Sequence, residues 1–272
     1  MAVEKFTPEL GTMGVKGTGK ILNMFFIVDI SGSMRGERIG AINDAFTQML
    51  PALRKIQMDC MSEFELRIAI LTFSQYAQWL VTPTPIMEYN HNDIDCTEYV
   101  TYYSRAFEQL QEKLSSKEYM AHTGKIAEPY IMFLTDGEPS PGDDYEPVLD
   151  KLLDNGWFMN SQRFAVMIGK EAIDSAEARK AVRKFITGQG GVINEKEGII
   201  NASDAVALAS VVQAKTIHTI NVATKHGVET GDEEGGSGSE GGLFEDNGSG
   251  DSGDLSDYKD YENDVYGEGT FE

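Results

Sequence analysis

Residues 21–34, ILNMFFIVDISGSM, join a nearly continuous apolar run to a short polar loop, and this stretch decides the fold. An apolar run such as residues 21–28 predicts a strand that is buried on both faces of a parallel sheet. A strand of this kind requires helices on both sides of the sheet. We therefore expect the loop that begins at Asp29 to lie at the carboxyl end of a strand, where α/β proteins place their binding sites.

Strand and helix patterns alternate along the rest of the chain. Strands are predicted at residues 65–73, 78–81, 130–134, 164–168 and 191–193, and helices at residues 38–57, 100–114, 148–153, 175–185 and 203–212. Pro83 and Pro85 mark residues 78–81 as a short edge strand. Pro51 is expected to kink or divide the first helix, and Ser203 to cap the last. The alternation predicts an α/β fold with a doubly wound, mostly parallel sheet.

The charge of the chain is unevenly distributed, and this divides it into three predicted parts. The 272 residues carry a formal net charge of −21, and between residues 227 and 272 acidic residues outnumber the single basic residue by 14. We predict a glycine-rich arm at residues 1–20, one folded domain at residues 21–224, and a disordered acidic tail rich in Gly and Ser at residues 225–272. Aromatic residues among the carboxylates of residues 255–272 predict a docking peptide; incidental aromatics in a solubilising tail are the alternative.

Composition also argues against some partners and locations. A strongly negative chain is unsuited to nucleic acid or to an anionic membrane, because phosphate binding requires clustered Lys and Arg. No apolar stretch approaches the roughly 18 to 20 residues of a membrane span, and no secretory signal pattern is present. These features predict a cytoplasmic protein in which Cys60 and Cys96 are reduced and have no structural role.

Oxygen-bearing side chains follow two of the predicted strands. Asp29, Ser31 and Ser33 occupy alternate positions of one loop, and Thr135-Asp136-Gly137 follows the strand at residues 130–134. Carboxylate and hydroxyl oxygens suit Mg²⁺, Mn²⁺ or Ca²⁺, whereas the lack of clustered Cys or His argues against zinc. If the two strands are neighbours, the loops meet and form one cation site; taken alone, Asp29 could equally be a helix cap and the serines ordinary turn residues.

The loop DISGSM at residues 29–34 resembles the metal-ion-dependent adhesion site (MIDAS), D-x-S-x-S, of von Willebrand factor A (vWA) domains. The resemblance spans most of residues 21–220 and extends to MRGERIGAINDAF, LRIAILTFS and FLTDGEPS. It implies a Rossmann-like vWA fold whose doubly wound sheet has a short antiparallel edge strand.

The resemblance also implies a set of metal ligands. Asp29, Ser31 and Ser33 correspond to the ligands of the first loop, and Asp136 to the ligand of the last loop, acting directly or through water. A threonine is expected from the middle loop. The stretch TYYSRAF at residues 101–107 matches the family pattern T-x-x-G-x-A-L with Ser104 in place of the glycine, which makes Thr101 the candidate. Thr97 is the competing candidate because the usual preceding Gly-Gly pair is absent.

The function implied by this resemblance is binding and not catalysis. The cation, most simply Mg²⁺, would leave a coordination position for an Asp or Glu of a partner protein. GERIGAIN and TDGEPS are most similar to bacterial TerY-type proteins of tellurium resistance and stress response. This similarity implies an adaptor for a protein kinase and a metal-dependent serine/threonine phosphatase.

Two alternative functions remain open at the level of sequence. The first is a metal-dependent hydrolase or phosphatase that uses the same cation. A haloacid-dehalogenase-type enzyme would require an acid/base aspartate two positions after Asp29, where this chain has Ser31. The second is an interaction made chiefly by the acidic tail, with the domain as its carrier.

Overall fold

Six strands form one sheet in the computed structural model, which describes residues 19–60, 63–97, 99–115, 120, 126–187 and 198–229. The strands are β1 (Lys20–Asp29), β2 (Phe64–Phe73), β3 (Ala77–Pro85), β4 (Tyr130–Thr135), β5 (Gln162–Ile168) and β6 (Ile199–Ala202). Their order in the sheet is β3-β2-β1-β4-β5-β6, and only the β2–β3 pair is antiparallel. The predicted α/β fold with a mostly parallel sheet and an antiparallel edge strand is confirmed.

Helices lie on both faces of this sheet. They are α1 (Glu37–Asp59), α2 (Tyr103–Ser115), α3 (Tyr145–Leu153), α4 (Gly156–Met159), α5 (Gly169–Asp174), α6 (Ala176–Ile186) and α7 (Ala205–Glu229), with a 3₁₀ turn at Gly32–Met34. In the part of the chain that the structure describes, none of the helices has both the length and the apolar character that crossing a membrane requires.

The sheet separates two apolar cores, and β1 contributes to both. Met24, Phe26 and Val28 pack into the core that contains α1 and α7, whereas Phe25 and Ile27 pack into the core that contains α2, α3 and α6. All five side chains are fully buried. The apolar run of residues 21–28 therefore has the two-sided burial that its sequence predicts.

Some predicted elements differ from the observed ones. The strand predicted at residues 191–193 falls outside the described residues, and the sixth strand is Ile199–Ala202. Pro51 does not divide α1. The predicted cap Ser203 is wrong, because Asp204 Oδ1 accepts the hydrogen bond of the Ala207 amide at 2.9 Å. The last helix continues to Glu229, well beyond the predicted end at residue 212.

The start of α2 differs from its prediction because of a tertiary contact. The helix predicted from residue 100 begins at Tyr103, because the carboxylate of Asp143 accepts hydrogen bonds from the amides of Tyr103 and Ser104. A side chain from the loop after β4 thus satisfies the free amides at the start of α2. Residues 1–18 and 230–272 lie outside the described residues, so the arm, the tail and its docking peptide stay predictions.

Candidate metal centre

The centre of the site is set by the register of β1 and β4. Val28 pairs with Leu134 in this parallel pair, so Asp29 and Thr135 come next at the same edge of the sheet. Asp136 follows directly after Thr135. The two loops that the sequence marks for a cation therefore meet above neighbouring strands, as expected at the carboxyl ends of a doubly wound sheet.

Asp29 is fully buried and is held by two hydrogen bonds. Its Oδ1 accepts from the Ser31 amide at 2.8 Å, and its Oδ2 accepts from the Thr135 hydroxyl at 2.8 Å. The pKa of the Asp29 carboxyl is raised to about 7, mainly by burial and also by the nearby charge of Asp136, and these effects outweigh the lowering effect of the hydrogen bonds. Asp29 is therefore a fixed carboxylate, and both of these hydrogen-bond donors are uncharged.

The two serines of the first loop connect Asp29 to Asp136. Ser31 Oγ and Ser33 Oγ are 3.2 Å apart, and the Ser33 hydroxyl donates to Asp136 Oδ1 at 2.8 Å. Because this hydroxyl donates a hydrogen bond to Asp136, Ser33 Oγ can still present a lone pair to a cation. The structure thus brings together the four predicted ligands Asp29, Ser31, Ser33 and Asp136.

The two candidate threonines of the middle loop have different surroundings. Thr101 is buried, and its backbone is bonded in both directions to Ser140 in the loop after β4: the Ser140 amide donates to Thr101 O at 2.9 Å, and the Thr101 amide donates to Ser140 Oγ at 3.0 Å. The Thr97 hydroxyl instead contacts the Ile30 carbonyl oxygen at 3.1 Å and Ser74 Oγ at 2.9 Å. Thr101 is thus tied to the loop of Asp136, and Thr97 joins the first loop to the loop after β2.

Arg38 is a site residue that the sequence does not indicate. Its Nη1 donates to Asp136 Oδ2 at 2.5 Å, and its Nη2 donates to Glu171 Oε2 at 3.1 Å. Gly169 has a φ of +78°, and a Cβ at this position would lie 2.7 Å from Arg38 Nη2. A residue with a side chain at position 169 would therefore displace the guanidinium from its present place.

The donor set fits a hard divalent cation. In the parts of the chain that the structure describes, no group of three or more His, Cys, Asp and Glu side chains could hold a metal, so the donors here are two carboxylates with hydroxyls. Adjacent oxygens of an octahedral Mg²⁺ site lie about 3.0 Å apart, given Mg–O bonds of about 2.1 Å. The separation of 3.2 Å between Ser31 Oγ and Ser33 Oγ is close to this edge.

The thiol of Cys96 lies near the site but is not activated. The charges of Asp29 and Asp136 act on it, and burial, the largest cause, raises the pKa of the thiol to about 11. At neutral pH this group is protonated, and a protonated thiol is a weak nucleophile and a poor metal ligand.

Comparison with known proteins yields solved structures only. Neither a family model nor a curated protein matches this chain. The pilus adhesin SpaC of Lactobacillus rhamnosus GG superposes with a TM-score of 0.54 and 14% identity over 75% of this chain and 30% of that chain. A von Willebrand factor type A structure from Catenulispora acidiphila gives a TM-score of 0.50 and 15% identity over 74% of this chain and 43% of that chain.

A third match is proximal thread matrix protein 1 from the mussel byssus, solved with zinc in its MIDAS motif. It gives a TM-score of 0.50 and 11% identity over 76% of this chain and 46% of that chain. This chain spans less than half the length of each of these three matched chains. At such identities the matches show the fold alone, an α/β fold that this chain shares with a vWA structure.

Proposed function

We propose that this protein is a metal-dependent protein interaction module that binds a carboxylate of a partner through a divalent cation. One observation carries the proposal: Asp29, Ser31, Ser33 and Asp136 converge at one edge of the sheet, with the two serine oxygens 3.2 Å apart. This arrangement is the one that the resemblance to MIDAS motifs implies. The adhesin and the vWA domain among the matched structures support a binding role.

In this proposal Asp29, Ser31, Ser33 and Thr101 hold the cation, and Asp136 acts directly or through water. Thr101 is favoured over Thr97 because its backbone is bonded to the loop that carries Asp136, whereas the Thr97 hydroxyl is already engaged by other protein oxygens. Both oxygens of Asp136 accept hydrogen bonds from the protein. This supports contact of Asp136 with the cation through water.

The residues around the site would leave it with a net positive charge once a cation is bound, and this charge favours an anion. Two carboxylates would cancel the charge of a divalent cation, but the Arg38 guanidinium offsets the charge of Asp136. Asp29 is then the one carboxylate left to oppose the cation, and the site keeps a net positive charge. The bound cation would supply a coordination position that a carboxylate of the partner can fill.

The cation we propose is Mg²⁺, with Mn²⁺ or Ca²⁺ as substitutes, because all the donors are hard oxygens. The zinc in the MIDAS motif of the mussel protein supports the view that such a motif can hold a divalent ion other than these. We also propose that the protein is not an enzyme. A binding role requires the vacant coordination position but no acid, base or nucleophile beside it.

The biological setting that we propose is a TerY-type adaptor in bacterial stress or defence signalling. Its support is the likeness of GERIGAIN and TDGEPS to that subfamily. A protein kinase and a metal-dependent phosphatase are then the expected partners. Capture of either one by the tagged chain should require Mg²⁺ and should be abolished by EDTA or by Asp29→Ala; equal capture under all conditions would contradict this setting.

Calorimetry tests the cation site directly. After treatment with EDTA and dialysis, the wild-type protein should bind one Mg²⁺ or Mn²⁺, and Asp29→Ala should bind none while retaining its circular dichroism spectrum. Asp44→Ala is the matched control, because Asp44 is exposed on α1 and should leave uptake unchanged. A folded wild-type protein that takes up none of Mg²⁺, Mn²⁺ and Ca²⁺ would refute the proposal.

The same measurement decides the middle ligand. Thr101→Val should weaken Mg²⁺ binding more than about tenfold, and Thr97→Val should change it less while lowering the stability of the loops that it joins. The reverse order of effects would assign the ligand to Thr97.

A further inference from the structure

We propose that Arg38 is a second anion-binding group beside the cation, that Glu171 covers it in the unbound protein, and that the partner segment therefore carries two carboxylates. One carboxylate would bind the cation, and the other would replace Glu171 on Arg38. This inference rests on the proposed function and specifies the chemistry of its partner.

The first step is the shared carboxylate of Asp136. The Ser33 hydroxyl, a proposed ligand, donates to Oδ1, and Arg38 Nη1 donates to Oδ2. The guanidinium and the cation site thus lie on opposite oxygens of one buried side chain. An acidic segment that reaches the cation therefore also comes within reach of Arg38.

The second step is that neighbouring residues fix the position of the Arg38 guanidinium. Arg38 lies in the first turn of α1, and the fully buried carboxylate of Asp136 fixes one side of its guanidinium. Gly169 provides the room on the other side, since any Cβ at that position would collide with Nη2. The guanidinium is thus held in one orientation, and 29% of the side chain remains exposed to a partner.

The third step is the unequal strength of the two ion pairs of Arg38. The carboxylate of Asp136 is fully buried, whereas the side chain of Glu171 is 75% exposed. Exposed ion pairs are weak, because water competes for both partners and the side chains lose freedom. A carboxylate delivered by a bound partner can therefore displace Glu171, but it cannot easily displace Asp136.

The charges around this position also favour an acidic segment. Arg35 follows the first-loop ligands and is exposed, and its charge acts on Cys96 together with those of Asp29 and Asp136. Lys170 is exposed beside Glu171. With a cation in place, the rim would present several positive groups to an approaching segment. Arginine is well suited to this role, because its planar fork matches the geometry of a carboxylate.

The experiment compares short peptides that differ by one charge. Each has a trifluoroacetyl cap, an amidated end and one Asp, with a Glu placed after none to three intervening glycines; in its partner peptide Gln replaces the Glu. Binding to the full chain in excess Mg²⁺ is followed by ¹⁹F NMR, with EDTA as the metal-free control. For the best spacing, the wild-type protein should bind the diacidic peptide about fivefold more tightly than the Gln peptide, as a single exposed ion pair allows.

Two variants separate Arg38 from a general effect of charge. Arg38→Gln should bring the ratio of the two affinities close to one, and Glu171→Gln should raise it about twofold or more because the competing carboxylate is gone. Arg105→Gln and Glu108→Gln are the matched controls, since these residues form an exposed ion pair on α2. Both should leave the ratio unchanged.

The outcomes distinguish failure of this inference alone from failure of the proposed function. If the wild-type protein binds neither peptide in Mg²⁺, both fail. If it binds both peptides equally, carboxylate binding stands and the role of Arg38 is refuted. A preference that survives in Arg38→Gln places the second carboxylate elsewhere and overturns the inference. Should Arg38→Gln fail to fold, Glu171→Gln still decides, because an unchanged ratio in that variant contradicts displacement of Glu171.

Discussion

Replacing Asp29 with asparagine tests whether the charge at the centre of the site costs stability when no cation is bound. The substitution keeps the shape of the side chain. An asparagine Oδ1 can still accept from the Ser31 amide, and its Nδ2 can donate to the Thr135 oxygen, so that both present hydrogen bonds have a counterpart. The main change is the loss of a buried negative charge.

The size of the effect follows from the pKa of Asp29, which burial raises from 3.8 to about 7. Because the pKa is higher in the folded state, the folded protein binds more protons than the unfolded chain between these values, and its stability falls as the pH rises through this window. A difference of about three pH units corresponds to about 4 kcal/mol at most once the carboxylate is fully ionised.

The gap in stability between Asp29→Asn and the wild type should therefore depend on pH. We define the difference as the free energy of unfolding of the variant minus that of the wild type, both in EDTA. This difference should be about 2 to 3 kcal/mol larger at pH 8 than at pH 5, since the contributions of groups common to both proteins cancel. Unfolding by urea at both pH values measures this quantity. Asp44→Asn, at an exposed position, should show no such dependence.

Added Mg²⁺ should narrow the difference in unfolding free energy between the two proteins at pH 8, because only the wild type binds it. At pH 8 and one hundred times the Kd, the wild type should gain about 2.7 kcal/mol, and Asp29→Asn should gain nothing. A gap that is the same at pH 5 and pH 8 would show that the buried carboxylate is not destabilising, and the account of Asp29 given above would be wrong.

Three further substitutions test other parts of the structure. Thr135→Val removes the hydroxyl that holds the buried carboxylate and should weaken Mg²⁺ binding in calorimetry about 10- to 100-fold, with Thr135→Ser close to wild type. The buried Arg163 side chain donates hydrogen bonds to backbone carbonyl oxygens, and Arg163→Met removes this donor. The substitution should lower the free energy of unfolding in urea by about 3 kcal/mol. A loss below about 1 kcal/mol would contradict this. Gly169→Ala should lower the melting temperature more than Gly142→Ala, since both glycines have positive φ but only at residue 169 would a Cβ strike Arg38. Equal losses would mean that backbone strain is the whole effect.

The parts of the fold and site that follow from local sequence could be predicted. The apolar run of residues 21–28 predicts a strand buried on both faces because nearly every side chain in it must leave water. Asp29, Ser31 and Ser33 stand at alternate positions of one loop, so their convergence requires no knowledge of distant contacts. Asp136 joins them because β1 and β4 are neighbours at the point where the strand order of this doubly wound sheet reverses.

Features that depend on tertiary contacts could not be predicted. Arg38 and Glu171 are 133 residues apart, and no local pattern marks either as part of a site. The strand Ile199–Ala202 has four residues, too few for periodicity to separate it from a loop. Ser203 and Asp204 are both good helix caps, and only the position of the Ala207 amide selects between them.

The two aspartates of the site are both buried, but their charges are stabilised by different kinds of groups. Asp136 is paired with the Arg38 guanidinium and with the Ser33 hydroxyl, so its charge is satisfied within the protein. Asp29 accepts hydrogen bonds from neutral groups, and burial dominates its pKa. An unpaired carboxylate in this position is costly unless a cation joins it. Because that cost is relieved by cation binding, the destabilising position of Asp29 itself adds to the affinity that we propose for the metal.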